Sequence, residues 1–184
     1  MARLNYTPED IAIPADLVAQ FRSRHDGQLL DVERMMLHSP TLARAWNGFF
    51  GGIKNGMQLS PRLRELVACA VGSINQAHYQ YQYQQHSKPF LVNGGGQEQL
   101  LALKDPVSAS KNQDLFDETE RAVLQMLIEM TCQIKVRDAT FATTLVAMGS
   151  EQAMVELVGV IAGYNLVSRF LVALEIEPVV LDSR

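Results

Sequence analysis

Cysteine is scarce in this chain. Its 184 residues hold two, Cys69 and Cys132, far apart and each in apolar surroundings, and no C-x-x-C pair occurs. That excludes a disulfide scaffold and fits a reducing, cytoplasmic compartment. Glycine and proline are sparse too, at 12 and 7 residues, which excludes collagen-like and low-complexity chains. No dense basic run is present, and 16 Lys and Arg stand against 20 Asp and Glu. Neither a nucleic acid nor a membrane is therefore an expected partner. The opening residues Met1-Ala2-Arg3-Leu4-Asn5 carry no apolar signal core. The most apolar stretch, 153–174, is interrupted by Glu156, Asn165 and Arg169, which argues against a membrane span. What remains is a chain 47% apolar and 20% charged, long enough to bury a core as one soluble domain.

Strand signals are also nearly missing. Only Tyr79-Gln80-Tyr81-Gln82-Tyr83 alternates with period two, and no hairpin turn or partner strand lies nearby, so we read it as helical. Elsewhere the punctuation is that of helices. Thr7-Pro8, Ser39-Pro40 and Ser60-Pro61 each place a capping residue before a proline suited to a first turn. Helices are expected from Pro14 to about His25, from Leu29 to Leu37, and from Pro40 to about Ile53, closed by Asn55-Gly56. Asp117 and Glu120 form a capping box ahead of a stripe of Val123, Leu127 and Met130. A shorter helix is expected over Arg137–Ala147. After Gly149-Ser150 comes a last helix, Glu151 to Leu174, apolar nearly all round and so buried on several sides, in the core or at a subunit contact. The segment Lys104–Asn112 reads as a polar loop, and Gly94-Gly95-Gly96 as a helix stop.

The most informative absence is local. From Leu66 through Ser87 there is no Asp, Glu, Lys or Arg, where a 20% charged chain would place about four. The same segment holds His78, His86, three tyrosines and five glutamines. Uncharged hydrogen-bonding groups suit a buried polar pocket or a tight polar interface; the alternative is a chance gap in a core helix pair. Glu65 stands at its edge. On a helix from Pro61 it points away from the stripe Leu63, Leu66, Val67 and Ala70, towards the small residues Ala68, Cys69 and Gly72. Glu65 is either a buried acid in that uncharged setting or a surface carboxylate paired with Arg62 or Arg64. His86 shares a helical face with Tyr79 and Tyr83 and is either a proton donor and acceptor or a partly buried, hydrogen-bonded histidine. On one straight helix Glu65 and His86 would stand about 31 Å apart, so cooperation demands a chain reversal near Gly72-Ser73-Ile74-Asn75, with Gly72 or Ser73 ending one helix and Asn75 capping the next. Neither H-x-x-x-H nor H-E-x-x-H occurs, and no glycine-rich loop follows a strand, so no metal and no cofactor are expected.

The stretch Leu59-Ser60-Pro61-Arg62-Leu63-Arg64-Glu65-Leu66-Val67 resembles the opening of the core motif of the carboxymuconolactone decarboxylase and alkylhydroperoxidase D-like (AhpD-like) superfamily. Tyr81-Gln82-Tyr83-Gln84-Gln85-His86 followed by Asn93-Gly94 is similar to its aromatic-polar-x-x-x-His segment. Phe116 to Val123 and Gly163-Tyr164-Asn165-Leu166-Val167-Ser168-Arg169-Phe170 fit its later pieces. The resemblance implies an all-α fold of about six to eight helices: a helical arm over 1–58, core motif helices over 59–104 and C-terminal helices over 116–175. It implies a homo-oligomer, a trimer or hexamer, and a small-molecule substrate. The family's peroxidase branch uses a C-x-x-C pair, whose positions fall here on Tyr79 and Gln82, with a Glu and a His that fall on Glu65 and His86. The spacing from Glu65 to His86 is about two residues longer than usual, an insertion near Ser73–Gln76. Without the thiols the chain is expected to sit nearer the decarboxylase branch, a cofactor-free lyase acting on a small organic acid or lactone. Glu65 and His86 would then be catalytic, and Tyr79, Gln82 and Tyr83 would bind substrate, with Arg62 or Arg169 as the cation for a carboxylate. The alternatives are a non-catalytic ligand-binding or scaffold member and, least compatible with the missing thiols, a peroxidase.

Overall fold

The computed structural model describes residues 2–24, 27–77 and 79–176, with backbone alone over 79–85. Among the described residues ten helices form and no strand. The N-terminal arm carries α1 (Ala15–Arg22), α2 (Asp31–Met36) and α3 (Pro40–Asn55). Next come α4 (Pro61–Ile74), α5 (Tyr79–Val92), α6 (Gln97–Ala102) and α7 (Pro106–Ala109). The C-terminal part is α8 (Glu118–Cys132), α9 (Asp138–Met148) and α10 (Glu151–Leu174).

Local chemistry accounts for most of these boundaries. Ser39 and Ser60 accept from the N–H of Leu42 and Leu63, and Pro40 and Pro61 open the helices behind them. Asp117 accepts from Glu120 N at 2.8 Å while Glu120 accepts from Asp117 N at 3.2 Å, a reciprocal box that starts α8. Gly149, at φ 75°, ends α9, and Ser150 caps α10. The proline at position 8 starts no helix. Thr7 instead donates its hydroxyl to Arg34 O at 2.7 Å, tying the arm to α2. The segment read as a polar loop contains α7, capped by Asp105 on Ser108 N. With α6 it raises the helix count from eight to ten. Both are short helices packed through Leu100, Leu103 and Ala109, too brief to show a period in sequence.

The core gathers around α4. Leu66 through Val71 are fully buried, because α5, α8 and α10 all pack on this one helix. Val123, Leu124 and Leu127 of α8 and Leu157, Val160 and Ile161 of α10 complete the main cluster. A second cluster of Leu17, Val18, Phe21, Met36, Leu37 and Ala43 holds the N-terminal arm, and Trp46 and Phe170 touch both. Helix α10 is the one element among the described residues long and apolar enough to cross a membrane, and half of its most apolar window is buried inside the protein (50%). Its buried side joins the main cluster, while Val155 and Leu166 are exposed.

Candidate active site

Glu65 sits in the second turn of α4, the helix that Ser60 and Pro61 start. Towards its other end α4 runs on through Gly72 and Ser73 to Ile74, and Asn75 is its C-cap, not the start of the next helix. Gln76 then takes the left-handed conformation, φ 47°, and Ala77 donates back to Gly72 O at 3.3 Å. The chain reverses there, and α5 returns along α4. Asn75 donates its side-chain amide to Asn165 Oδ1 on α10, at 3.0 Å, which pins the reversal to the core.

The far end of α5 is fixed as firmly. Gly94, at φ 89°, donates to Leu91 O, and Gly95 donates to Phe90 O at 2.9 Å, the two bonds of a Schellman stop. Phe90 is fully buried against Gly95, where a Cβ would fall 2.3 Å from its ring. His86 lies one turn before Phe90. Glu65 lies nine residues before the end of α4 at Ile74 and His86 seven residues after the start of α5 at Tyr79, about 14 Å and 11 Å along their helices.

The two side chains meet. His86 Nδ1 lies 2.5 Å from Glu65 Oε2, and the side chains are 21% and 19% exposed, shielded yet within reach of solvent. The carboxylate engages Nδ1 and leaves Nε2 as the ring nitrogen that faces away from Glu65. Tyr164 of α10 stands edge-on to His86, with ring centroids 4.9 Å apart and planes at 82°. Phe50 of α3 packs on Tyr164 in turn at 6.1 Å, and Trp46 on Phe50 at 4.7 Å.

Around Glu65 the neighbouring ionisable groups are kept neutral. Burial pushes the Cys69 thiol up to about 12, and the Glu65 charge adds to it. Burial, again with Glu65, drives the Tyr164 phenol well above its ordinary value. The expected arginine partners are engaged elsewhere. Arg62 donates to Glu120, to Gln99 and to the Gly94 carbonyl, bridging α4, α6 and α8. Arg64 donates to the Ile53 and Lys54 carbonyls, the open end of α3. Glu65 pairs with neither, and Arg62 is spent on structure. Arg169 bonds Asn165 O and Oδ1 on its own helix.

Tyr79, Gln82 and Tyr83 lie on α5, but their side chains fall outside the described residues, and His78 falls outside them altogether. The sequence alone assigns no role to Tyr164 or Phe50. A single phenol in the apolar run of α10, next to Gly163, was the available signal. Gly163 lets Phe49 pack so close that a Cβ would fall 2.7 Å from its ring. Among the described residues no group of three or more His, Cys, Asp or Glu is arranged for a metal. A separate groove of about 550 Å³ runs between α8 and α9, lined by Glu118, Thr119, Ala142, Thr143, Val146 and Ala147, and shares no residue with the Glu65–His86 pair.

Residues 40–109, the span that holds both Glu65 and His86, match the carboxymuconolactone decarboxylase family. The whole fold is similar to that of an uncharacterized peroxidase-related protein from Silicibacter sp. TM1040, with a TM-score of 0.79 at 18% identity over 96% of this chain and 91% of that one. It is similar to the AhpD core of an uncharacterized peroxidase-related protein from Ralstonia eutropha JMP134, with a TM-score of 0.80 at 19% identity over 96% and 92%. The debrominase Bmp8 in complex with 2,3,4-tribromopyrrole gives 0.77 at 21% identity over 95% and 92%. No curated protein matches the chain in sequence. The family match is confined to residues 40–109, and the likeness to these solved structures, all at low identity, is one of fold. The chain itself contains no C-x-x-C pair.

Proposed function

We propose that the protein is an enzyme that moves a proton with Glu65 and His86, a cofactor-free carboxy-lyase acting on a small organic acid or lactone. The observation that supports this is the 2.5 Å contact between Glu65 and His86, each about one-fifth exposed. Loss of carbon dioxide leaves an electron pair on the substrate carbon as a carbanion or dienolate. Protonated His86 gives that carbon its proton from Nε2, and the imidazole regains one from solvent. Glu65 holds the ring and stabilises its positive form throughout. Tyr79, Gln82 and Tyr83 of α5 are assigned to substrate oxygens. The thiol route has little support, since Cys69 is fully buried with its thiol pushed up to about 12 and no second cysteine sits beside it.

We also assign the protein to the cytoplasm as a homo-oligomer, a trimer or hexamer. The exposed apolar residues Val155 and Leu166 of α10 and Phe141 and Val146 of α9 are the faces that a second copy would cover. The test of the chemistry is a mass-spectrometric turnover screen in deuterated water with small organic acids and lactones. A product carrying one new carbon-bound deuterium, formed by the wild type and not by His86→Ala, supports the reading. Ligands that bind tightly but come back unchanged and unlabelled favour the non-catalytic alternative.

A further inference from the structure

A carboxylate on one nitrogen fixes a single point of an imidazole. The ring can still swing about that point, and Nε2 swings with it. A second contact on the ring itself is needed to hold its plane, and the structure supplies one from a different helix. Tyr164 meets His86 edge-on, with centroids 4.9 Å apart and planes at 82°, close to the right angle that aromatic pairs favour.

Tyr164 is suited to hold rather than to react. It is only 7% exposed, on a helix whose neighbouring residues Ile161, Gly163 and Asn165 are all buried. Phe50 packs on its ring at 6.1 Å, and Trp46 and Phe49 pack on Phe50 at 4.7 and 5.1 Å. Gly163 leaves room for Phe49 beside it. The aromatic stack on α3 therefore backs Tyr164, and Tyr164 backs His86. Its phenol stays neutral next to Glu65, whose carboxylate is engaged by His86 Nδ1.

We propose that Tyr164 is the positioning residue of the site: Glu65 sets which nitrogen of His86 carries the proton, and the Tyr164 ring sets the plane in which the other nitrogen meets the substrate. This rests on the Glu65–His86 reading above, and α3 thereby takes part in the chemistry without touching it.

Nitrogen-15 NMR of His86 tests both parts separately, because its two ring nitrogens report tautomer and ring order without any substrate. Wild type, Glu65→Gln, Tyr164→Leu and Tyr164→Phe are compared, each checked for folding by circular dichroism. Wild type is expected to show one tautomer and a through-space contact between the two rings. Tyr164→Leu is expected to lose the single ring setting and broaden or average the nitrogen signals. Tyr164→Phe, which keeps the ring, is expected to restore them. With a turnover assay in hand, Tyr164→Leu should lower kcat by roughly 10- to 100-fold at little change in KM, the cost of a misaimed group, and Tyr164→Phe should recover most of it. A folded Tyr164→Leu with wild-type nitrogen signals overturns the inference. If Tyr164→Leu does not fold, absence of the ring-to-ring contact in wild type overturns it on its own. Nitrogen signals that change with Tyr164→Leu but not with Glu65→Gln support Tyr164 and instead sink the Glu65–His86 pair.

Discussion

Glu65 and His86 are 21 residues apart in sequence and 2.5 Å apart in space, because the chain reverses midway between them at Gln76. The Tyr164 ring stands against His86, and each side chain of the pair keeps about one-fifth of its surface exposed. Once a substrate is found, His86→Ala should lower turnover by roughly two to four powers of ten, the range for a positioned proton donor. Glu65→Gln should lower it less and leave the fold intact, since the amide keeps the size and can still accept from Nδ1. Steady-state kinetics on both variants check this. Full activity in His86→Ala would remove His86 from the mechanism.

Thiol-dependent reduction of an organic hydroperoxide should stay at background. The chain has no C-x-x-C pair, and burial keeps Cys69 protonated with its thiol pushed up to about 12. Cys132 is exposed, but it lies at the end of α8, outside the Glu65–His86 site. Peroxide consumption with dithiothreitol or a lipoyl donor is the measurement, on wild type and on the Cys69→Ser, Cys132→Ser double variant. Consumption by wild type alone would show that a nucleophile has been overlooked and return the protein to the peroxidase reading.

How far the sequence carries depends on the kind of feature. Caps are local, so Ser39, Ser60, Asp117 and Ser150 announce their helices correctly. Thr7-Pro8 fails because its threonine finds a better partner on α2. Asn75 fails because its side chain is claimed by Asn165, 90 residues away. Arg62 and Arg64 look like partners of Glu65 in one dimension, yet Glu120, Gly94 and the end of α3 take them. Tyr164 is invisible for the same reason: its meaning lies in His86 and Phe50, on two other helices. Long-range pairing decides these cases, and a single sequence carries no record of it.

Gly95→Ala should destabilise the protein and disturb the site together. The added Cβ would lie 2.3 Å from the Phe90 ring, and Phe90 is fully buried one turn from His86. Overpacking of this kind costs about 2 kcal/mol. In a chain of this length that is a Tm lower by roughly 4–8 °C. Gly48→Ala is the control. It lies in α3 with nothing within 4 Å of an added Cβ, and helix propensity alone should raise stability by about 0.5–1 kcal/mol. Thermal melts of both compare a crowded glycine with an open one. Equal Tm values would mean that Phe90 yields and does not anchor α5.

Assembly should depend on α9, whose burial pattern is inverted. Its threonines 140 and 144 are buried, while Phe141 and Val146 are 45% and 82% exposed. The hydroxyls are satisfied inward, Thr140 on Glu129 and Thr144 on the Thr140 carbonyl, which leaves the apolar side facing out. Light scattering should find an oligomer at micromolar concentration, and Phe141→Asp with Val146→Asp should reduce its mass. A wild-type monomer under those conditions overturns the assembly proposal.

The acid limit of stability should be set in part by Glu129. Its carboxylate is fully buried at the α8–α9 corner and accepts from Arg137 N at 2.8 Å, Arg137 Nε at 2.9 Å, Arg137 Nη2 at 2.6 Å, Thr140 Oγ1 at 2.7 Å and Gln125 Nε2 at 2.9 Å. Burial opposes the charge, but Arg137 and the other donors outweigh it and hold the carboxyl at about 2, below the ordinary 4.5. The unfolded chain therefore takes up the proton first as pH falls. The stabilisation is complete above about pH 4.5, declines below it and is gone once pH passes about 2. Glu129→Gln removes the titration and leaves donors facing a neutral amide, at a cost of about 1–3 kcal/mol at neutral pH. Urea unfolding from pH 7 to pH 2.5 should then show a lower but flatter profile for the variant than for wild type. Asp16, also near 2 through its Arg44 contact, lies in solvent, where salt screens the pair, so Asp16→Asn should barely change the profile. If wild type and Glu129→Gln lose stability in parallel below pH 4.5, some other carboxylate governs the acid limit and the corner is held by packing alone.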